Sequence, residues 1–195
     1  WGSGGSFGYA EALADAHVAV DYLMRSENAA RLRVDPARVA LVGHSFGASL
    51  ALQTGAGRDD VRGVVALATY RMAEVGRAAN RDPRHAEALV TDLDESRVLR
   101  GFTGQTAVGL LQLDPEAYDL IDLAPRLRNA PVLLVGALRD TACPLATHQR
   151  PIAAALAEAG VDVTAVELDT DHAFSGKRIT LARLVVDWLQ ALPDA

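Results

Sequence analysis

The strongest constraint on the fold of this chain is a repeated alternation of short apolar segments with longer helix-like segments. Val39 to Val42 form a continuous apolar run after a turn at Asp35-Pro36, and such runs are typical of strands covered on both faces of a parallel sheet. By this pattern the strands are residues 38–44, 61–69, 131–138 and 161–168, and the helices are residues 9–25, 46–54, 145–159 and 178–192. We therefore predict an α/β fold, a parallel sheet with helices on both faces.

The length and the composition fit one domain with a sizeable core. The chain has 195 residues, of which 50% are hydrophobic, and this is enough for a core of ordinary size. The strand pattern lapses between residues 71 and 129, which are charged and helix-rich at first and less regular around Gly101, Gly104 and Gly109. We predict a single domain over residues 1–195 with an insertion in this region.

The charge and the sequence pattern exclude several classes of partner. The net charge is −6 and clustered basic residues are absent, so we expect no nucleic acid as a partner. No apolar run approaches the ~20 residues that cross a bilayer, so we expect no membrane partner. The single cysteine, Cys143, excludes an internal disulfide. No signal-peptide pattern is present, and the sequence assigns no cellular location.

A Gly-His-Ser-Phe-Gly pentapeptide at residues 43–47 marks Ser45 as a candidate nucleophile. A nucleophile elbow holds its serine on a strained turn between a buried strand and a helix, and the sequence around Ser45 predicts both. A second Gly-x-Ser-x-Gly match contains Ser6 within WGSGGSFG, which has no strand before it. We predict Ser45 as the nucleophile; the alternatives are Ser6 and a turn in which neither serine reacts.

Two residues that follow later strands can activate Ser45. Asp140 comes directly after the strand at 131–138, and His172 follows the strand at 161–168. The carboxyl ends of parallel strands meet at one edge of the sheet. An imidazole that accepts the serine proton activates the hydroxyl, and a carboxylate fixes the tautomer of that imidazole. We therefore expect Ser45 Oγ and Asp140 to hydrogen-bond opposite ring nitrogens of His172.

Several neighbouring residues have weaker claims to a role in this chemistry. Asp169 and Asp171 are rival acids, but they lie in the same segment as His172 and are expected to shape its loop. His44 adjoins the nucleophile and is expected to be a neighbour and not a base. Cys143 follows Asp140 by three residues; we expect a buried, inert thiol, with a place in the pocket wall as the alternative.

The remaining histidines do not form a metal site in the sequence. His17 falls on the apolar stripe of the first predicted helix and is expected to be packed in the core. His85 and His148 have polar surroundings and are expected to be exposed. No His, Cys or carboxylate cluster has the spacing of metal ligands, so we predict no metal.

Three motifs occur in the chain in a fixed order: GHSFGA follows VDPARVALV, RD follows PVLLVGAL, and DHAFS precedes a terminal helix that ends in WL. Together they resemble the α/β-hydrolases, above all their dienelactone-hydrolase-like and prolyl-oligopeptidase-like branches. The resemblance implies that Ser45 is the nucleophile, Asp140 the acid and His172 the base. It implies that the backbone N–H of Phe46 is one oxyanion-hole donor. It also implies that residues 71–128 are a cap inserted within the domain.

Two departures from the family pattern bear on the site. The strand before the acid usually ends in a His-Gly pair or a similar one, whereas here it ends Gly136-Ala137-Leu138-Arg139, and Arg139 points either into the pocket or into solvent. The family also places its first strands, and the loop with the second oxyanion donor, before the glycine-rich loop that opens this chain. We therefore expect an α/β-hydrolase fold lacking its N-terminal strands, with the strand at 38–44 at one edge of the sheet.

The residues and the resemblance together predict a serine hydrolase that cleaves a carboxylic ester through an acyl-enzyme at Ser45. The apolar residues of the insertion favour an uncharged substrate group. We expect His44, Arg139 and Phe102 to contact a small-molecule ester, and we expect no cofactor. The alternatives are a serine peptidase of the prolyl-oligopeptidase type and a noncatalytic binding module with the same fold.

Overall fold

The computed structural model describes residues 5–96 and 100–193 of the chain. Helices and strands alternate over much of this length, as the apolar pattern predicts. The helices are α1 (Tyr9–Met24), α2 (Ser26–Leu32), α3 (Phe46–Ala56), α4 (Met72–Arg81), α5 (Pro83–Ser96), α6 (Gly104–Leu113), α7 (Gln149–Glu158) and α8 (Arg178–Ala191). The strands are β1 (Leu41–His44), β2 (Val64–Leu67), β3 (Val132–Ala137) and β4 (Val163–Leu168). The short helix α2 has no counterpart in the sequence prediction.

The chain divides into two compact units. The larger unit consists of Ala16–Arg71 and Leu120–Ala195, and the smaller unit of Trp1–Asp15 and Met72–Asp119. The smaller unit contains most of the insertion that we predicted at 71–128, together with the start of the chain. The cap role of that insertion stays a prediction.

The larger unit is built on a parallel sheet. In the described part of the chain the strands lie in the order β1-β2-β3-β4, and each neighbouring pair is parallel. In this register Gly43 of β1 pairs with Ala66 of β2, which pairs in turn with Leu134 of β3. The parallel sheet is confirmed, and so is the edge position of β1, where Val42 is 53% exposed.

Apolar side chains cover both faces of this sheet. On one face, Val64 and Leu134 pack in a cluster with Leu52 of α3 and Leu156 of α7. On the other face, alternate strand residues pack against α8, whose stripe Leu181, Leu184, Val185 and Leu189 points inward as predicted. Because successive residues of a strand point to opposite faces, an uninterrupted apolar run is what a doubly covered strand requires. The prediction of helices on both faces is confirmed.

The smaller unit contains α4, α5 and α6. We expected an irregular backbone around Gly101, Gly104 and Gly109, and this was wrong for the last two, which belong to α6. The Thr103 side chain accepts a hydrogen bond from the Thr106 N–H and caps the start of that helix. A side chain on Gly104 would lie 2.2 Å from the carbonyl oxygen of Val90 in α5. The glycine is therefore used for close helix packing and not for a turn.

No helix in the described residues combines the length and the apolar character that a bilayer crossing requires.

Candidate active site

Ser45 lies on a strained turn between β1 and α3. Its backbone has φ 56° and ψ −119°, which is unusual for a residue with a side chain. A Cβ on Gly43 would lie 2.0 Å from the carbonyl oxygen of Gly47, so the turn can close only when residue 43 is glycine. This is the geometry of a nucleophile elbow, which presents its serine above the carboxyl end of a strand.

Backbone hydrogen bonds fix this turn to the neighbouring strand. The Ser45 N–H donates to the Leu67 carbonyl at 2.9 Å, and the Tyr70 N–H donates to the Ser45 carbonyl at 3.1 Å. The Ser49 hydroxyl, on the first turns of α3, donates to the Tyr70 carbonyl. The elbow is therefore held by β2 and by the segment that follows it.

Asp140 follows β3 and is anchored by backbone donors. Its Oδ1 accepts from the Ala142 N–H at 2.9 Å and from the Cys143 N–H at 2.7 Å, and its side chain is fully buried. A Cβ on Gly136 would lie 2.2 Å from the Leu145 side chain. The glycine in β3 thus lets the segment after Asp140 pack closely against the strand.

His172 reaches Asp140 from the segment that follows β4. Its Nδ1 is 2.7 Å from Asp140 Oδ2, and its side chain is 29% exposed. The two segments are joined by the Arg139 N–H, which donates to the Thr170 carbonyl at 2.9 Å. Thr170 is fully buried and its hydroxyl donates to the Ser175 carbonyl at 2.8 Å. A carboxylate at Nδ1 favours the proton on that nitrogen and leaves Nε2 free to accept one.

The rival acids take the structural places that we expected of them. Asp169 is exposed, and its carboxylate lies 3.4 Å from Nε of Arg139. Asp171 Oδ1 accepts from the Ser175 N–H at 2.9 Å, and this hydrogen bond is the main cause that lowers the pKa of Asp171. Neither carboxylate contacts His172 in the described hydrogen bonds. Arg139, for which the sequence left both the pocket and solvent open, lies beside Asp169 with 65% of its side chain exposed, and its contact with substrate stays a prediction.

His44 contacts the residue that we assign as the base. Its Nε2 lies 2.8 Å from the His172 carbonyl oxygen, so Nε2 carries a proton and donates it. The centroids of the two rings are 4.8 Å apart, and the Phe174 ring lies 6.0 Å from that of His44. Phe174 is buried and has φ 55°. His44 thus holds the backbone of His172, a role that its position in the pentapeptide did not reveal.

The other half of the expected chain of hydrogen bonds is not formed. Among the described residues, Ser45 makes no side-chain hydrogen bond with His172, and its hydroxyl lies near the thiol of Cys143. Catalytic hydrogen bonds are often long or misaligned before substrate binds. The Ser45 hydroxyl must therefore come within hydrogen-bond distance of the imidazole before its proton can be transferred.

Cys143 is buried, as predicted, but it also belongs to the site. The pKa of its thiol is raised to about 12, mainly by burial and further by the negative charge of Asp140. The nearby Ser45 hydroxyl acts in the opposite direction and lowers this pKa. One ligand atom each from Asp140, Cys143 and His172 lies within 4.8 Å of the others. Folding thus brings together three side chains that could each supply a metal ligand. Their spacing in the sequence did not suggest such a cluster.

Two other candidate residues belong to the smaller unit. They are Phe102 and Ser6, and Phe102 lines a cavity of about 420 Å³ with Phe7, Tyr9 and Tyr118. Ser6 is exposed at the start of the described chain.

The three remaining histidines agree only in part with the predictions. His85 is exposed, as expected, and His17 is half-buried rather than packed in the core. The prediction that His148 is exposed was wrong. It is 5% exposed, and its Nδ1 accepts the Arg71 N–H at 2.9 Å.

Comparisons with known proteins agree with the fold described above. No curated protein matches the sequence. Among solved structures, Est1E from Butyrivibrio proteoclasticus has a TM-score of 0.67 and 18% identity, over 94% of this chain and 70% of that protein. Acetyl xylan esterase 1 from a Thermoanaerobacterium species has a TM-score of 0.55 and 23% identity, over 92% and 52%. Acylaminoacyl peptidase from Pyrococcus horikoshii has a TM-score of 0.58 and 14% identity, over 89% and 26%.

The chain thus spans 26% of the length of the peptidase and 52% of that of the xylan esterase. At these identities the structural likeness establishes the fold. The family is established by sequence, because the model of the alpha/beta hydrolase family matches residues 1–179. The chain belongs to the alpha/beta hydrolase family.

Proposed function

We propose that the protein is a serine hydrolase that cleaves a carboxylic ester through an acyl-enzyme at Ser45. The observation that carries this proposal is the 2.7 Å contact between His172 Nδ1 and Asp140 Oδ2. The two residues come from segments that follow different strands, and both strands end on the side of the sheet where β1 delivers Ser45. A positioned imidazole and carboxylate beside a serine on a strained turn are what acyl transfer requires.

The proposed reaction has two stages. In the first, Ser45 Oγ attacks the carbonyl carbon of the ester while His172 Nε2 takes the hydroxyl proton. The tetrahedral intermediate then collapses, and His172 gives that proton to the departing alcohol. In the second stage a water molecule attacks the acyl-enzyme while His172 takes a proton from the water. The bond between Ser45 Oγ and the acyl carbon then breaks, the carboxylic acid leaves, and His172 returns the proton to Ser45 Oγ.

Two groups support the charges that develop during this reaction. The Asp140 carboxylate faces the imidazolium that forms when His172 is protonated. The backbone N–H of Phe46, at the start of α3 and directly after Ser45, is the proposed donor to the oxyanion. One donor of this kind typically contributes about 10²- to 10³-fold in rate.

The proposal of an ester substrate draws on a protein of similar fold and on the apolar residues of the insertion. Acetyl xylan esterase 1 is one of the proteins of similar fold. Of the apolar residues in the insertion, Val108 and Leu111 pack inside the smaller unit, whereas Leu113 is 82% exposed. That Phe102 contacts an uncharged group of the substrate stays a prediction from the sequence. Fold similarity to acylaminoacyl peptidase supports a peptidase as the second candidate.

A fluorophosphonate probe tests the nucleophile directly, because it reacts with activated serines. We expect labelling of the wild-type protein, loss of labelling in Ser45→Ala and unchanged labelling in Ser6→Ala. Turnover should fall on the order of 10⁴-fold or more in Ser45→Ala. Equal labelling of wild type and Ser45→Ala would remove Ser45 from the proposal, and absence of labelling would favour a noncatalytic module.

A paired substrate panel tests the ester. Aryl esters and aminoacyl amides with the same acyl group should be compared by kcat/KM. We expect the esters to be hydrolysed and the amides to be poor substrates. Faster cleavage of the amides, lost in Ser45→Ala, would establish the peptidase instead.

A further inference from the structure

The side chains around the candidate base include a set of donors that suits a thiophilic metal ion. A carboxylate oxygen of Asp140, the thiol of Cys143 and a ring nitrogen of His172 lie within 4.8 Å of one another. Zn²⁺ lies about 2.0 to 2.3 Å from such ligands, so the ligand atoms of one tetrahedral site are roughly 3.5 Å apart. A movement of about 1 Å in the side chains brings the three donors onto one ion.

The chemistry of the donors selects the kind of cation. Sulfur and imidazole ligands favour Zn²⁺ and Cd²⁺, whereas Mg²⁺ prefers a set of oxygens. A carboxylate and a thiolate together carry the two negative charges that balance a divalent ion. Cys143 and Asp140 are both buried, which limits competition from water, and the half-buried His172 gives access from solvent.

We propose that Zn²⁺ or a similarly thiophilic divalent cation binds Asp140, Cys143 and His172 and thereby switches off the candidate active site. The thiol of Cys143 loses its proton to solvent as the ion binds, and where the ion takes Nδ1 of His172 the proton of that nitrogen moves to Nε2. The inhibition, but not the binding, rests on the proposed function. That reaction uses both ring nitrogens of His172, Nδ1 for Asp140 and Nε2 for the proton of Ser45. An ion on either nitrogen stops turnover.

This cation differs from a resident cofactor. The proposed reaction needs no metal, and the ion occupies two groups on which that reaction depends, the Asp140 carboxylate and a ring nitrogen of His172. Binding and catalysis therefore exclude each other. An acyl group on Ser45 is also expected to hinder the ion, because the Ser45 side chain lies near the Cys143 thiol.

Binding can be measured without any activity assay. Cd²⁺ is a spectroscopic substitute for Zn²⁺, because its bond to a thiolate gives a charge-transfer band in the ultraviolet. We expect this band when Cd²⁺ is added to the wild-type protein and no band from Cys143 in Cys143→Ala or Cys143→Ser. The Ser variant keeps a hydrogen-bonding side chain next to Ser45, and circular dichroism identifies which of the two variants is folded.

Inhibition is measured on ester hydrolysis, with each variant compared with its own rate in the presence of a chelator. We expect Zn²⁺ to inhibit the wild type and Mg²⁺ to have no effect at equal concentration. Loss of a partner that only supports a ligand typically costs about 10- to 100-fold in metal affinity, so loss of the thiolate, itself a ligand, should raise the inhibitory concentration of Zn²⁺ by roughly 100-fold or more. Equal inhibition of wild type and a folded Cys143 variant would overturn the proposal.

One further variant separates this proposal from the proposed function. Ser45→Ala removes the candidate nucleophile but keeps all three donors, so it should still give the Cd²⁺ band. If Ser45→Ala is as active as wild type while the band persists, the proposed function fails and the metal site stands. If the wild type is active but gives no band with Cd²⁺, the metal site fails and the proposed function stands.

Discussion

Replacing Asp140 by Asn tests the proposed base, because the surroundings of the carboxylate dictate how the amide must lie. Oδ1 accepts two N–H groups, from Ala142 at 2.9 Å and Cys143 at 2.7 Å, and Oδ2 lies 2.7 Å from His172 Nδ1. An amide of the same shape keeps its oxygen against the two N–H groups and so turns its NH₂ toward His172. Nδ1 must then accept a hydrogen bond, and the ring proton moves to Nε2.

The tautomer determines the size of the effect. A neutral imidazole with its proton on Nε2 cannot accept the proton of Ser45, so we expect kcat in Asp140→Asn to fall about 10⁴-fold. This equals ~5.5 kcal/mol in activation free energy. The fold should persist, because the amide oxygen still accepts from the two N–H groups, and a loss of ~1 kcal/mol would lower Tm by about 2 to 4 °C.

Steady-state hydrolysis of an aryl ester, with Tm measured in parallel, provides the assay. The matched control is Asp169→Asn. It also removes a carboxylate near His172, but that carboxylate is exposed and pairs with Arg139. Exposed ion pairs contribute about 0 to 1 kcal/mol, so this variant should stay close to the wild-type rate. An Asp140→Asn protein within tenfold of wild type, or an equal loss in Asp169→Asn, would refute the assignment of the acid.

Three further predictions follow from single contacts. Gly43→Ala should destabilise the fold by about 1 to 3 kcal/mol and lower activity, because the new Cβ meets the Gly47 carbonyl at 2.0 Å; a wild-type urea midpoint would contradict this. His44→Ala should lower kcat about five- to tenfold, since it removes one hydrogen bond of ~1 kcal/mol to the His172 carbonyl, and His44→Gln should recover part of it; equal rates in all three proteins would exclude this role. The pKa of Cys143 is raised to about 12 in the folded protein, from about 8.5 in an unfolded chain. The buried thiol therefore contributes its full stability below pH ~8.5, and this contribution declines as pH rises toward 12. Denaturant titrations should find a smaller decline of the unfolding free energy with pH in Cys143→Ser.

The pattern of apolar residues along the chain predicted those elements of the fold that have apolar neighbours on every side. The strands were predicted because both faces of β2 and β3 are covered by apolar side chains, which requires an apolar run at every position. The insertion was predicted less well, because the glycines of α6 are used for helix contacts, and a glycine in the sequence does not reveal whether it makes a turn or a close approach. His148 was misjudged because its partner, Arg71, is distant in the chain.

The sequence by itself determined the elbow at Ser45 and the positions of Asp140 and His172 after two strands. These depend on short motifs and on the rule that parallel strands end at one edge of the sheet. Only the tertiary structure decided which groups touch there: the thiol of Cys143 beside Ser45 and the ring of His44 on the His172 backbone. The physical reason is that hydrogen bonds form or fail over a few tenths of an ångström. Such distances are set by the packing of segments that lie far apart in the chain.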